Sequence, residues 1–366
     1  MSSSRRTPPD AVDTVIETHP GGGRPIRDEI TRPQLPAIEI PPHAARLLQK
    51  HLEGAPNEET APRLGGYALV ARFPSSAAAD VFLGYKVSTF GFMRRSVVKF
   101  VDARRPDYSL AQRGILDEAR AIASLDHPNV VSIYDHEISS DGAHLAVEYV
   151  AGTDLRRVLA ELGRRGERLP ESVALFLTAE VLRGLVHVHE ATDLEGQPLG
   201  IIHRDVNPSN VLLGDDGRVK ITDFGTVRMS GRAQPATLPG MVKGKVRYLA
   251  PEYISDQQCT HQVDVYGVGV MLYEMLSGRP SFAGGSNVDI MIGIVRNGLE
   301  YEALDRAGVP ARLSEVVRRA TDRDPEQRFA NAERFLEAVE DYLDAAGGFV
   351  SPTRLARHLA SRDLVC

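Results

Sequence analysis

The order of hydrophobic patterns along the chain predicts an α+β fold in two lobes: a small antiparallel β lobe carrying one helix, then a larger, mostly helical lobe. Three observations lead there. Short β-rich runs, with one amphipathic stretch among them, fill the segment from Tyr67 to Val150. Beyond it the apolar period lengthens to that of a helix and stays there. The chain has 366 residues, more than one hydrophobic core usually holds, since single cores seldom grow past about 250–300 residues.

Residues 1–62 lack any such pattern. Prolines recur at 8, 9, 20, 25, 33, 36, 41 and 42, with "GGGR" among them, a composition that cannot repay its ordering entropy. This predicts a disordered, proline-rich extension. Within it "PHAARLLQKHLEG" spaces Ala45, Leu48 and Leu52 as on one helical face, which favours a transient helix over one that docks on the domain or on a partner. The runs "YALVARF", "DVFLGYKV" and "RSVVKFVD" then read as strands. "SLAQRGILDEARAIASL" reads as a helix with Ile115, Leu116, Ala119, Ile122 and Leu125 on one face, and "NVVSIYDHEI" and "AHLAVEYV" close the small sheet. From "AGTDL" onward the pattern is helical: Val173, Phe176, Leu177, Val181, Leu185 and Val188 keep the i, i+3/i+4 rhythm from Glu171 to Glu190. The organisation expected is a 67–343 domain, with lobes 67–150 and 151–343, and a short tail over 344–366. That tail breaks at Gly347 and Gly348, then offers a short helix with Leu355 and Leu359 on one side.

Composition narrows the function classes. A hydrophobic share of 42% and a charged share of 25% are those of an ordinary globular protein. A net charge of -6 gives no general affinity for nucleic acid. The two cysteines, Cys259 and Cys366, form no disulfide framework and lack metal-ligand spacing, which predicts a cytoplasmic protein. The start "MSSSRRTPPDAVD" has no apolar stretch after its arginines and is not read as a signal peptide. "VDVYGVGVMLYEML" is too short to span a bilayer and reads as a core helix opening on Asp264, so no membrane span is expected.

Four stretches in fixed order carry the chemistry: "VVKF" with Lys99, Glu118 in the first helix, "HRDVNPSN" from His203 to Asn210, and "DFG" from Asp223. Alone, each reads equally well as a strand-edge lysine, a solvated helix residue or turn aspartates. Followed by "APE" (Ala250 to Glu252), the set resembles the signature of protein kinases, closest to the bacterial eukaryotic-like (Hanks-type) Ser/Thr protein kinases. The resemblance implies a Ser/Thr kinase using ATP and Mg²⁺ on protein substrates. It implies that Lys99 holds the α/β-phosphates and pairs with Glu118, that Asp205 handles the acceptor hydroxyl, and that Asn210 and Asp223 bind Mg²⁺. It places Glu148 to Val150 at the adenine hinge, Val147 at the back pocket and Asp154 by the ribose. Asp264 would brace the catalytic loop and Arg328 would pair with Glu252.

Two departures from the family pattern stand out. The phosphate-covering loop aligns on "PSSAAADV", ending at Val81, so its three glycines fall on Pro74, Ser76 and Ala79. Pro74 has no amide hydrogen and Ala79 adds a Cβ, while the Ser75 and Ser76 hydroxyls offer partial replacement at the phosphates. The second departure is paired. Asn207 stands where the family has lysine, and Lys245 where it has threonine. Side-chain lengths favour a charge that has moved rather than vanished, with Lys245 reaching toward Asp205 and Asn207 receiving a hydrogen bond.

Between Asp223 and Glu252 lie Arg228, Arg232, Lys243, Lys245 and Arg247, with no acidic residue. Two uses compete with that of a plain solvated loop: ligands, together with Arg204, for a phosphorylated Ser230 or Thr237, or a docking surface for acidic substrates. The missing glycines also leave a pseudokinase or nucleotide-binding scaffold as the alternative function. A chain beginning at Leu64 is expected to keep the fold of the parent, with a melting temperature within a few degrees of it; a much larger drop would show that the extension packs as part of the domain.

Overall fold

The computed structural model describes residues 63–73, 79–87, 93–224, 245–255, 259–282, 284–348 and 350–364. The predicted extension, Pro74, Ser75, Ser76, Ser230 and Thr237 lie outside them. Six antiparallel strands form the first sheet: β1 (Arg63–Leu64), β2 (Tyr67–Phe73), β3 (Asp80–Val87), β4 (Met93–Asp102), β5 (Ile133–Ile138) and β6 (Gly142–Glu148). Their spatial order is β1-β2-β3-β4-β6-β5. The helix α1 (Tyr108–Ala123) lies against β4, β5 and β6.

Two local readings differ from expectation. The sheet begins before Tyr67, because Leu64 pairs with Tyr67 across the Gly65–Gly66 turn. Lys99 therefore stands on the fourth strand rather than the third. On α1, Leu116 is only half-buried, and Glu118 and Ala121 join Ile115, Ala119 and Ile122 inside. A buried Glu is unexpected on an apolar face unless it is paired, and its partner comes from the neighbouring strand.

Strand pairing sets up one wall of the cleft. On β4, Lys99 sits opposite Val81 on β3 and Leu145 on β6. A second, three-stranded sheet, β7 (Gly152–Asp154), β8 (Val211–Gly214) and β9 (Val219–Ile221), lies just beyond the hinge. Its β8–β9 hairpin begins directly after Asn210 and ends two residues before Asp223, so one hairpin spaces both candidate metal ligands.

The helical part is built on α2 (Leu155–Arg164), α3 (Glu171–His189), a short α4 (Pro251–Ser255) and α5 (Gln262–Ser277). It is completed by α6 (Asn287–Arg296), α7 (Glu302–Arg306), α8 (Ala311–Ala320), α9 (Ala332–Ala346) and α10 (Pro352–Ser361). Fifteen of the sixteen residues of α5 are buried, as its unbroken apolar run requires. Among the described residues α3 alone is long and apolar enough to cross a membrane, and 72% of that stretch is buried inside the molecule.

The C-terminal segment is docked rather than loose. Ser351 caps α10 by accepting from the Arg354 amide, and Leu355, Leu359 and Leu364 enter the main core. Arg165 donates to the Arg362 carbonyl at 2.8 Å, and Arg362 pairs with Glu167. Gly217, at the β8–β9 turn with φ of 83°, faces the Pro352 backbone so closely that a Cβ would collide with its carbonyl oxygen. Leu355→Ala is expected to cost about 2–5 kcal/mol, read as a lower urea midpoint at unchanged slope, while the exposed Arg357→Ala changes nothing measurable.

Candidate active site

The site is built outward from a buried carboxylate. Asp264 opens the first turn of α5 at 1% exposure and accepts from the His203 amide at 2.9 Å and the Arg204 amide at 2.8 Å. His189 Nε2, from the end of α3, lies 2.8 Å from the same carboxylate. Burial alone would raise the Asp264 carboxyl, but His189, the nearby His203 and the Arg204 amide more than reverse it and hold the group below the usual carboxylate range. Gly267, one turn along α5, permits this approach, since a Cβ there would lie 2.9 Å from the Val206 carbonyl oxygen. Arg204 is thereby held at φ of 67°, a left-handed conformation that a non-glycine residue keeps only when its surroundings impose it.

That backbone presents Asp205 to a ring of donors. Asn207 Nδ2 donates to Asp205 Oδ1 at 2.8 Å and to its carbonyl at 2.9 Å, while Asn207 Oδ1 accepts from the Ser209 amide. Asn210 Nδ2 donates to Asp205 Oδ2 at 3.0 Å and to its carbonyl at 2.8 Å. The third donor is Lys245, whose Nζ is 2.6 Å from Asp205 Oδ2 and 3.7 Å from Asp223 Oδ2. Lys245 and Asn207 thus contact the same carboxylate, one from each side of it.

Lys99 closes the other half. Its Nζ donates to Glu118 Oε1 at 2.6 Å and to Asp223 Oδ1 at 3.0 Å. Burial works against the ammonium, but Asp223 and Glu118 outweigh it and hold Lys99 well above the ordinary lysine range. Lys99 in turn, against the effect of burial and with help from Lys245, holds Asp223 well below the usual carboxylate range. Asp223 also has a left-handed backbone, φ of 69°. The next residue, Phe224, is fully buried against the His203 ring, with centroids 4.7 Å apart.

An oxygen-seeking divalent cation fits this arrangement. Asn210 spends its amide nitrogen on Asp205, and its amide oxygen accepts no hydrogen bond among the described residues. Together with the ionised Asp223 it offers the hard oxygen donors that Mg²⁺ takes.

At the hinge the side chains have partners of their own. Val147 is buried on β6, and Val150 is half-buried against the core. The Glu148 side chain, however, is committed to structure: it pairs with Lys220 at 2.9 Å and accepts from the Ser132 amide. Asp154 caps α2, accepting from the Arg157 amide at 3.0 Å and pairing with the Arg157 guanidinium at 3.2 Å. Val81 is half-buried opposite Lys99, and Ala79, third of the aligned glycine positions, is buried.

Some contributors escaped the motif reading. Lys220 is a buried lysine inside the apolar run "VKI", and its ammonium ties the hinge to the Val130 carbonyl at 2.9 Å. A charge in so short a buried strand was the only signal. Asn129 donates to Glu180 and to the Val219 carbonyl, fastening the loop after α1 to the helical lobe. Of the regulatory candidates, Arg204 packs over the Tyr253 ring and donates to its hydroxyl at 3.1 Å, and its Nε is buried without a partner. Arg328 makes a two-bond pair with Glu252, both bonds at 2.7 Å.

A model of the protein kinase domain matches residues 79–339. The chain belongs to the protein kinase family. Its curated relatives are bacterial kinases. It is 33% identical over 282 residues to the tyrosine-protein kinase MasK of Myxococcus xanthus, covering 76% of this chain and 43% of that protein. It is 35% identical over 283 residues to the serine/threonine-protein kinase PknL of Mycobacterium tuberculosis, covering 76% and 66%. With the serine/threonine-protein kinase PrkC of Bacillus subtilis the identity is 28% over 281 residues, covering 77% and 41%. The chain spans less than two thirds of the length of each of these kinases.

The two contacts on Asp205 make the kinase signature's paired departure testable as a unit. Lys245→Thr is expected to cost about 2–4 kcal/mol of transition-state stabilisation, about 30- to 1,000-fold in kcat/KM. Asn207→Lys alone places two ammonium groups on one carboxylate and helps little. The double change recovers much of the activity, so the cycle is non-additive; additive effects would show that the two positions share no role.

Proposed function

We propose that the chain is a Ser/Thr protein kinase that transfers the γ-phosphoryl group of Mg-ATP to protein hydroxyls, its own among them. One observation carries this reading. Three acids and two lysines from five separate stretches are assembled into a continuous network: Glu118, Lys99, Asp223, Lys245 and Asp205. Nothing in core packing requires so many charges in one half-buried place, and phosphoryl transfer asks a protein for just this positioning and charge neutralisation.

The roles follow from the contacts. Asp205, oriented by Asn207 and Asn210, accepts the proton of the acceptor hydroxyl or aligns its oxygen for attack. Lys99, fixed by Glu118, neutralises the non-transferred phosphates, and Lys245 offsets charge developing on the transferred group. Asn210 and Asp223 would hold Mg²⁺, which supplies further charge neutralisation on phosphate oxygens. Val81, Val147 and Val150 supply apolar surface for the base, with the hinge backbone at Glu148 to Val150 for its edge and Asp154 for the ribose. Pro74, Ser75 and Ser76 would cover the phosphates. A scaffold without catalysis finds no support in this set, because each charged position is filled and paired.

Hydroxyl specificity rests on "HRDVNPSN", which follows the Ser/Thr loop, and on the relatives called serine/threonine kinases; MasK, called a tyrosine kinase, is the reason to test it. Cytoplasmic action is part of the proposal, supported by the two cysteines and the absence of a disulfide framework in the sequence. Arg204 would receive a phosphorylated Ser230 or Thr237. Purified chain with labelled ATP and Mg²⁺ is expected to label itself on serine or threonine, and Asp205→Asn to lower the rate by at least about 100-fold. Equal labelling of the two proteins, or label found mainly on tyrosine, would refute the reading.

A further inference from the structure

The turn that delivers Lys245 to Asp205 also sets a surface beside it. This 3-10 turn, Lys245–Tyr248, is locked from below. Tyr248 donates its hydroxyl to Glu274 Oε2 at 2.6 Å, and Glu274 Oε1 accepts from the Ser281 amide and hydroxyl at 2.7 and 2.8 Å. Arg247 Nε donates to the Phe282 carbonyl at 3.0 Å. The Arg247 guanidinium is therefore held in place two residues from a side chain that touches the catalytic carboxylate. Arg156, in the first turn of α2, is 67% exposed, on a helix that packs against the Pro208–Asn210 turn of the loop carrying Asp205.

Every carboxylate in this neighbourhood is already engaged. Asp205 receives Asn207, Asn210 and Lys245; Asp223 receives Lys99. Glu274 receives Tyr248 and Ser281, Glu252 receives Arg328, and Asp154 caps α2 beside Arg157. Arg247 has no carboxylate within ion-pair distance among the described residues, and Arg156 pairs only loosely with Asp154, at 4.0 Å, a carboxylate that Arg157 holds more closely at 3.2 Å. The sequence adds no acid of its own, since none occurs between Asp223 and Glu252.

We infer that Arg247 and Arg156 are specificity-determining residues that select substrates with acidic side chains close to the acceptor hydroxyl. This rests on the protein kinase reading and names its substrate class. A peptide whose hydroxyl reaches Asp205 passes Arg247 within about two or three residues, at about 3.3 Å per extended residue. A carboxylate there finds a guanidinium without a competing anion, whereas lysine or arginine at that place meets like charge. The rim is solvent-exposed, so the preference is moderate and weakens with salt.

The test uses the full chain and three sets of serine peptides, with glutamate, glutamine or lysine at the positions flanking the acceptor. Binding is read by fluorescence anisotropy and transfer by kcat/KM with Mg-ATP. Glutamate peptides are expected to exceed glutamine peptides by about five- to tenfold in both readouts at low salt, with lysine peptides weakest. Arg247→Gln combined with Arg156→Gln should collapse that ratio toward one, and Arg156→Gln alone, which keeps the Arg247–Phe282 anchor, should lower it while leaving kcat/KM on the glutamine peptides within about twofold. Transfer without acidic preference, or a preference that survives in the double variant, overturns the assignment and leaves the kinase reading standing. Acid-selective binding lost in the double variant but never followed by transfer keeps the surface and refutes the kinase reading. Loss of transfer to all peptides alike in the double variant would make the arginines structural and also overturn the assignment.

Discussion

The Asp264 carboxylate is the contact on which the rest of the site depends. Two consecutive amides of the catalytic loop end on it, and without them Arg204 has no reason to remain left-handed. A strained backbone residue costs about 1–3 kcal/mol and survives only if its surroundings impose it. The helix α5 can supply that imposition because it is buried almost all round and cannot shift without disturbing the core. Core packing therefore fixes α5, α5 fixes Asp264, and Asp264 fixes the direction in which Asp205 leaves the chain.

The charges set on that scaffold are interdependent. Asp223 touches Lys99 and lies near Lys245, so it is shared between the strand that brings Glu118's partner and the turn that brings Asp205's. Removing either lysine leaves a half-buried carboxylate less compensated, and breaking such pairs costs more than their net worth when intact. The two lobes are thereby joined by ions across the cleft and by the Lys220–Glu148 pair at its back. Both joints use a residue of β9 or of the stretch just after it, which makes the β8–β9 hairpin the shared support of hinge and catalytic centre.

How much of this could be read beforehand divides along a physical line. Motif residues were legible because their chemistry demands both type and order: Lys99, Glu118, Asp205, Asn210 and Asp223 stand together in space as their order implied. The paired departure at Asn207 and Lys245 was legible too, as a change in one place matched by a change in another. What could not be read was which face a residue of ambiguous character would choose. Leu116 and Glu118 share a helix, and only the presence of Lys99 on β4 makes the acid the buried one. Leu355 and Leu359 announced a helix but not the surface that receives it, since the Gly217 turn against Pro352 is a contact between segments far apart in sequence. Glu148 looked like a hinge residue and is one by position, yet its side chain answers to Lys220, seventy-two residues away by number.

Moving the lysine from position 207 to position 245 changes more than its address. A lysine at 207 would ride on the catalytic loop and share its rigidity, held by Asp264 whatever the rest of the chain did. Lys245 instead rides on the turn anchored by the Tyr248–Glu274 and Arg247–Phe282 contacts, directly after residues 225–244. Its ammonium reaches Asp205 only when that turn is seated. The ammonium on Asp205 and the Arg247 guanidinium are therefore one mechanical unit, and any event that unseats the turn removes both together. Asn207 suits this division of labour: a neutral amide can orient Asp205 through two donated hydrogen bonds and leave the charge to arrive from the other side.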